Sequence, residues 1–203
     1  MRPSVLFALT LAAALAAGGC RPQPPDEADY AERIASARAR KDAQLLKDPE
    51  PVPPGRKDDL LPLEYYPVDP SYNVPAVLTL SADSGTIMMP TSAGTQDEMR
   101  RVGTLEFTLQ GQPLKLTAYI SAAAPVVDRL FVPFRDLTST SGTYPAGRYL
   151  DLSRTATGLY AIDFNLAYNP YCYFNPLWIC PLPPRENHLP VAIEAGEKVK
   201  GKP

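Results

Sequence analysis

TLEFTLQGQPLKLTAYI, residues 104–120, decides the fold class. Leu105, Phe107 and Leu109 alternate with Thr104, Glu106 and Thr108, and Leu114, Leu116, Ala118 and Ile120 alternate with Lys115, Thr117 and Tyr119. A period of two is the strand signature, and Gln110-Gly111-Gln112 between the runs marks a tight turn. The segment reads as a β-hairpin with one face in a core and the other in water.

The same period recurs on both sides. Val77–Leu80, Gly85–Met89, Arg129–Asp136, Arg148–Leu152, Leu159–Leu166 and Leu189–Val199 read as further strands, separated by Gly, Pro, Ser and Asp clusters. About eight short strands without helix-length crossovers imply antiparallel pairing, in a barrel or a sandwich. The chain is therefore expected to be mainly β: an antiparallel β-barrel, which leaves no edge exposed, with a sandwich as the alternative and one N-terminal helix.

That helix is expected over residues 29–48. Asp29 with Glu32 three residues on suggests a capping box, basic residues gather toward the far end, and Pro49 stops it. Its apolar residues are few, chiefly Tyr30, Ile34, Leu45 and Leu46, so it should rest on the side of the domain. Residues 49–75 carry eight of the 24 prolines and read as an extended arm, with the β domain at 76–200.

Upstream, Arg2 precedes an apolar run from Val5 to Ala17, the length of a signal-peptide hydrophobic region and too short to span a bilayer. It ends Leu15-Ala16-Ala17-Gly18-Gly19-Cys20, which resembles the lipobox of bacterial lipoproteins. The resemblance implies cleavage before Cys20, lipidation of its sulfur and amine, and a mature domain anchored in an envelope membrane by residues 20–28 as tether. The alternative is an ordinary secretory peptide, residues 1–19, cut at a small-residue site. A formal net charge of −2 provides no electrostatic footprint for nucleic acid, which is excluded as a partner.

The stretch Phe131-Val-Pro-Phe-Arg-Asp-Leu-Thr138, then Thr143-Tyr-Pro-Ala-Gly-Arg-Tyr-Leu-Asp-Leu152, Asp163-Phe-Asn-Leu-Ala-Tyr-Asn-Pro-Tyr-Cys172, Cys180-Pro-Leu-Pro-Pro184, Glu186-Asn187 and Ala195-Gly-Glu197 resembles the uncharacterised prokaryotic family known as domain of unknown function 1684. The likeness spans roughly residues 30–200. It implies no activity. Two positions depart from the family pattern: Tyr173 stands in place of a small residue and His188 in place of Arg.

Residues 163–197 concentrate the reactive side chains. Cys172 and Cys180 form an even pair once Cys20 goes to lipid, and an oxidising envelope favours a disulfide between them. Closing a loop of about nine residues would contribute roughly 2.6 kcal/mol. A metal site with His188, or a nucleophilic Cys172, are the sharper readings, but the spacing matches no zinc pattern and no metal or cofactor is expected.

Asp163 and Asn165 project to one side of a strand whose other residues are apolar, so they either face solvent or line a cavity. In a barrel they would converge with Arg148 as a polar floor for a small ligand, the ligand-site expectation being Arg148, Asp163 and Asn165. The competing readings are loop capping by Asp163 and Asn165, and a strand-pinning pair of Arg148 with Asp136 or Asp151. Tyr168, Tyr171, Tyr173, Phe174 and Trp178 read as loop-to-core packing. Walker, Rossmann and Gly-x-Ser-x-Gly motifs are missing from the sequence. The function that follows is a membrane-anchored envelope lipoprotein binding a small ligand or an envelope protein, with a hydrolase and a structural assembly protein as alternatives.

Overall fold

The computed structural model describes residues 27–83, 85–123, 129–155 and 159–201. The expected signal peptide and Cys20 lie outside them. Seven strands follow the helix α1 (Glu27–Lys47): β1 (Asn73–Leu80), β2 (Thr86–Pro90), β3 (Gln96–Leu109), β4 (Gln112–Ser121), β5 (Leu130–Phe134), β6 (Arg148–Leu152) and β7 (Tyr160–Asp163). All pair antiparallel, in the order β6-β5-β4-β3-β1-β7, with β2 laid beside the first half of β3. The sheet curls into a nearly closed barrel with one seam, between β6 and β7. That seam is stitched by bridges from Arg154 to Tyr160 and from Tyr149 to Tyr168.

The hairpin forms as its periodicity requires. Gln110 and Gly111 both have positive φ, at 50° and 79°, the two-residue turn whose twist matches that of paired strands. Leu105, Phe107 and Leu109 face Leu114, Leu116, Ala118 and Ile120, and Val132, Phe134, Leu150 and Ile162 complete a barrel interior filled by side chains. The register shifts between Arg101 and Gly103, so one strand of 14 residues serves two sets of neighbours. Gly103 is required there, because a Cβ would lie 2.3 Å from the Thr79 carbonyl oxygen.

Four expectations change. The helix starts at Glu27, so Asp29 and Glu32 lie within it, and β1 takes in residues 73–75 of the arm. The strand expected over Leu159–Leu166 stops at Asp163 and tightens into a 3-10 turn at Phe164–Leu166. Leu189–Val199 is not a strand: Pro190 and the left-handed Gly196 (φ 78°) interrupt it, and it crosses the end of the barrel. There its Ile193, Ala195 and Glu197 carbonyls accept from Arg148. Alternate carbonyls of the extended stretch at Ile193 and Ala195 point the same way, and the turn at Gly196 brings the Glu197 carbonyl to the same guanidinium.

Gly196 is also a packing position, since a Cβ would sit 2.6 Å from the Ala167 oxygen and 2.7 Å from the Phe164 oxygen. Gly196→Ala should therefore cost more than the roughly 1–3 kcal/mol of a left-handed non-glycine residue. A urea titration would read it, and a midpoint unchanged from wild type would contradict the assignment.

α1 lies along the barrel wall. Tyr30, Ile34 and Leu45 are buried at helical spacing, and the positions between them on the same face carry Arg38 and Lys41. A second apolar cluster of Leu45, Val52, Leu60, Leu61, Leu63 and Phe174 joins the end of α1, the arm and the cysteine loop. This arrangement leaves a long opening between α1, the cysteine loop and the outer surface of the barrel.

Candidate functional site

Asp163 and Asn165 come together, and their partners are the helix and the arm. The Tyr30 hydroxyl donates to Asp163 Oδ1 at 2.8 Å, and the Asn165 backbone N–H donates to the same oxygen at 3.0 Å. The Asn165 side chain donates to Tyr30 and to the Asp69 carbonyl and accepts from the Asp69 N–H at 3.0 Å. Burial raises the pKa of Asp163 and of Tyr30, with the Asp163 charge adding to the shift on Tyr30. Both side chains thus act as clips that hold α1 and the arm on β7.

Arg148 is elsewhere. It shares the inward face of β6 with Leu150 and Leu152 and is 1% exposed. Its guanidinium lies over the Phe134 ring, donates to Asp136 at 3.0 Å and to the three carbonyls of the C-terminal segment. Of the two pairings open to it in the sequence, Asp136 is the one made. Asp136 also accepts from Thr138 and from the Ile193 N–H, so the pair is the knot at one end of the barrel.

The outward residues of β6 look onto the opening. It is a cleft of about 1220 Å³ between α1 and the outer barrel surface. Tyr65, Phe131, Tyr149, Tyr168, Tyr171 and Trp178 supply aromatic walls, and Asn165 reaches its edge. Phe131 and Tyr149 meet edge to face at 4.8 Å, as do Tyr149 and Tyr168 at 5.8 Å and Tyr171 and Trp178 at 5.1 Å. The aromatic residues of the 163–197 stretch divide: Phe174 is core, whereas Tyr168, Tyr171 and Trp178 line the cleft.

The helical wall is basic. Lys41 pairs with Glu197, which is 1% exposed, and lies over the Tyr168 ring at 4.9 Å. The second Glu197 oxygen accepts from the Asn169 N–H at 2.7 Å, so both of its oxygens are occupied. Arg38 donates to the Tyr66 and Asn165 carbonyls and stacks over Tyr65 at 4.5 Å; burial lowers its pKa. Burial and then Glu197 raise the pKa of Tyr65, whose buried hydroxyl has no hydrogen-bond partner among the described residues. Arg40 and Arg129 also line the cleft, as do the acids Asp97, Glu98 and Asp151. Lys41 and Glu197 escaped the sequence reading. The signal was there in Lys41, a cation on the buried stripe of α1 seven residues after Ile34.

The expected Cys172–Cys180 disulfide is replaced by two free thiols. Cys172 is the second residue of a single helical turn, Tyr171–Phe174, and its N–H donates to the Cys180 sulfur at 3.2 Å, so the two thiols lie side by side without a covalent link. The loop is held instead by Ser92, whose N–H and hydroxyl bond the Cys180 backbone, and by Trp178 donating to the Glu50 carbonyl at 3.0 Å. His188 lies apart from the thiols, its Nε2 3.2 Å from the Pro183 carbonyl. Among the described residues no three His, Cys, Asp or Glu side chains gather in a metal-holding group.

A family model described as "Protein of unknown function (DUF1684)" matches residues 59–198. The solution NMR structure of an uncharacterised protein of Haloarcula marismortui is similar at a TM-score of 0.67 and 35% identity, over 87% of this chain and 97% of that one. No curated protein matches. The NMR relative is described only as uncharacterised, so the likeness carries a fold and a family but no activity.

Proposed function

Since this chain belongs to the DUF1684 family, which comes with no activity, we propose from its own residues that it is a membrane-tethered binding domain holding a small amphipathic ligand in the cleft beside α1. The observation that carries the reading is the cleft itself, where aromatic walls meet the basic side of α1. Stacking on Tyr168, Tyr171 and Trp178 would hold a flat or apolar body, and the cations of α1 would attract a polar or anionic end. Asn165 contributes as a wall and clip. Arg148 contributes by holding the barrel end, because its bonds to Asp136 and three carbonyls engage both terminal nitrogens.

The tether belongs to the same reading. Its support is the apolar run Val5–Ala17 leading into Cys20, a lipobox-like ending that directs lipidation to the cysteine and places the domain outside the cytoplasm. Expression of the chain in a bacterium fed tritiated palmitate should label it, and Cys20→Ser should abolish the label. Label retained in that variant would overturn the anchor.

The ligand site is tested with an aryl sulfonate probe, 8-anilinonaphthalene-1-sulfonate. One molecule should bind saturably and quench Trp178, the single tryptophan of the chain. Ile179 is exposed at the cleft wall, so Ile179→Glu should weaken binding at least about tenfold, on the order of 1.4 kcal/mol, without moving the urea midpoint. Binding that fails to saturate, or that ignores this substitution, would refute the site.

A further inference from the structure

We propose that Cys172 and Cys180 form a thiol–disulfide exchange site in the cleft wall, in which Cys172 attacks a small disulfide and Cys180 resolves the mixed disulfide that results. The inference stands apart from the amphipathic-ligand reading, since it needs only the loop and its two sulfurs. Cys180 lines the cleft and is 6% exposed, whereas Cys172 is half-buried and within reach of solvent. The Cys172 N–H donates to the Cys180 sulfur at 3.2 Å, which sets the two thiols side by side, and the Tyr144 hydroxyl donates to the Cys172 sulfur at 3.9 Å. The more exposed sulfur is thus the one a dissolved disulfide can reach, with a hydroxyl donor for its thiolate, and the protected sulfur stands behind it.

This division is what exchange chemistry requires of an attacking and a resolving cysteine. The neighbouring Cys180, followed by the Tyr144 hydroxyl, brings Cys172 down to about 6, which favours its thiolate at neutral pH. Closeness to Cys172, together with burial, pushes Cys180 up. Tyr144 is raised to about 12, first by burial and then by the Cys172 charge, and so remains a donor. The nine residues from Cys172 to Cys180 include Pro176 and make few backbone bonds among themselves, so an S–S bond of about 2.05 Å requires only a local shift of two cysteines already in hydrogen-bonding contact.

The steps balance. The Cys172 thiolate attacks one sulfur of a disulfide RSSR, forming Cys172–S–SR and releasing RS⁻. Cys180 loses its proton to the departing thiolate or to water and attacks the Cys172 sulfur, forming the internal disulfide and releasing a second RS⁻. Two electrons pass from the dithiol to RSSR, which leaves as two thiols. The substrate class is a low-molecular-weight disulfide, and the reverse reaction with two thiols restores the pair.

The test uses the purified full chain, reduced and desalted, with peptide mass spectrometry to separate Cys20 from the other two. Iodoacetamide should label Cys172 with a midpoint near pH 6 and leave Cys180 protected. Oxidised glutathione should consume both thiols and release two glutathiones, while Cys180→Ser should stop at glutathione on Cys172 and Cys172→Ser should react at least about tenfold more slowly. Tyr144→Phe should raise the labelling midpoint yet complete the reaction. Equal labelling of the two cysteines, a Cys172 midpoint above about 8, or a mixed disulfide that persists in the wild type would each overturn the proposal. Circular dichroism of every variant keeps a folding defect from being read as lost reactivity.

Discussion

Arg148→Met should bring the domain to the edge of unfolding. The substitution keeps the length and apolar stem of the side chain but deletes a guanidinium that is 1% exposed and bonded to Asp136, Ile193, Ala195 and Glu197. What remains is a carboxylate buried without its cation and three carbonyls without donors. Breaking a buried ion pair from one side costs about 3–5 kcal/mol, against a total stability of about 5–15 kcal/mol for a domain. Urea titration should show a collapsed midpoint, or the variant should fail to accumulate. Arg148→Lys should be intermediate, because a single ammonium cannot span four acceptors on two sides. Arg148→Met combined with Asp136→Leu should be more stable than Arg148→Met alone, since no unpaired charge is then buried. A single Arg148→Met variant within about 1 kcal/mol of wild type would show that the knot is not what closes this end of the barrel.

This knot also explains why one part of the fold was misread. Leu189, Val191, Ile193 and Ala195 do alternate with the exposed Pro190, Ala192 and Glu194, and Leu189, Ile193 and Ala195 do enter the main core. The period of two is real. What it could not specify is the partner: a guanidinium from β6 takes the carbonyls a neighbouring strand would have taken. The hairpin was legible because its pairing is local and its turn chemistry lies in Gln110 and Gly111 themselves. The barrel was legible in class but not in closure, since the seam depends on Tyr168, which reaches back to Tyr149 only after the turn that ends β7.

The site follows the same rule. The unusual polarity of Asp163 and Asn165 was visible, yet its meaning rests on Tyr30, 133 residues away from Asp163. Lys41 meets Glu197 across 156 positions, and no local pattern joins them. The cleft itself is created by where α1 comes to rest. Its apolar stripe is thin, and a thinly apolar helix is placed by such individual polar contacts rather than by area buried.

Asn187→Leu should be nearly as damaging as the loss of Arg148, for a reason special to β5. That strand meets β4 in register only at Tyr119 and Phe131, and Pro133 has no N–H with which to continue the ladder. Asn187 fills the gap with its side chain. Its Oδ1 accepts from the Thr117 N–H at 2.7 Å, and its Nδ2 donates to the Thr117 carbonyl at 2.9 Å and to the Pro133 carbonyl at 2.7 Å. One carboxamide, 0% exposed, thus does the work of a strand residue between two strands that have parted. Leucine matches its size but leaves three buried backbone groups unpaired, at about 1–3 kcal/mol each. The expected loss is at least roughly 3 kcal/mol in a urea titration, with hydrogen exchange rising at Thr117 before the rest of β4. Asn187→Asp separates shape from hydrogen bonding. Its carboxylate would still accept from Thr117 but would face two carbonyls, so the group must take up a proton to fold. Its folded pKa would then lie above its unfolded value, and the variant should gain stability as pH falls, relative to wild type at each pH. A leucine variant that keeps the wild-type midpoint, or an aspartate variant indifferent to pH, would mean that β4 and β5 are held together by packing alone.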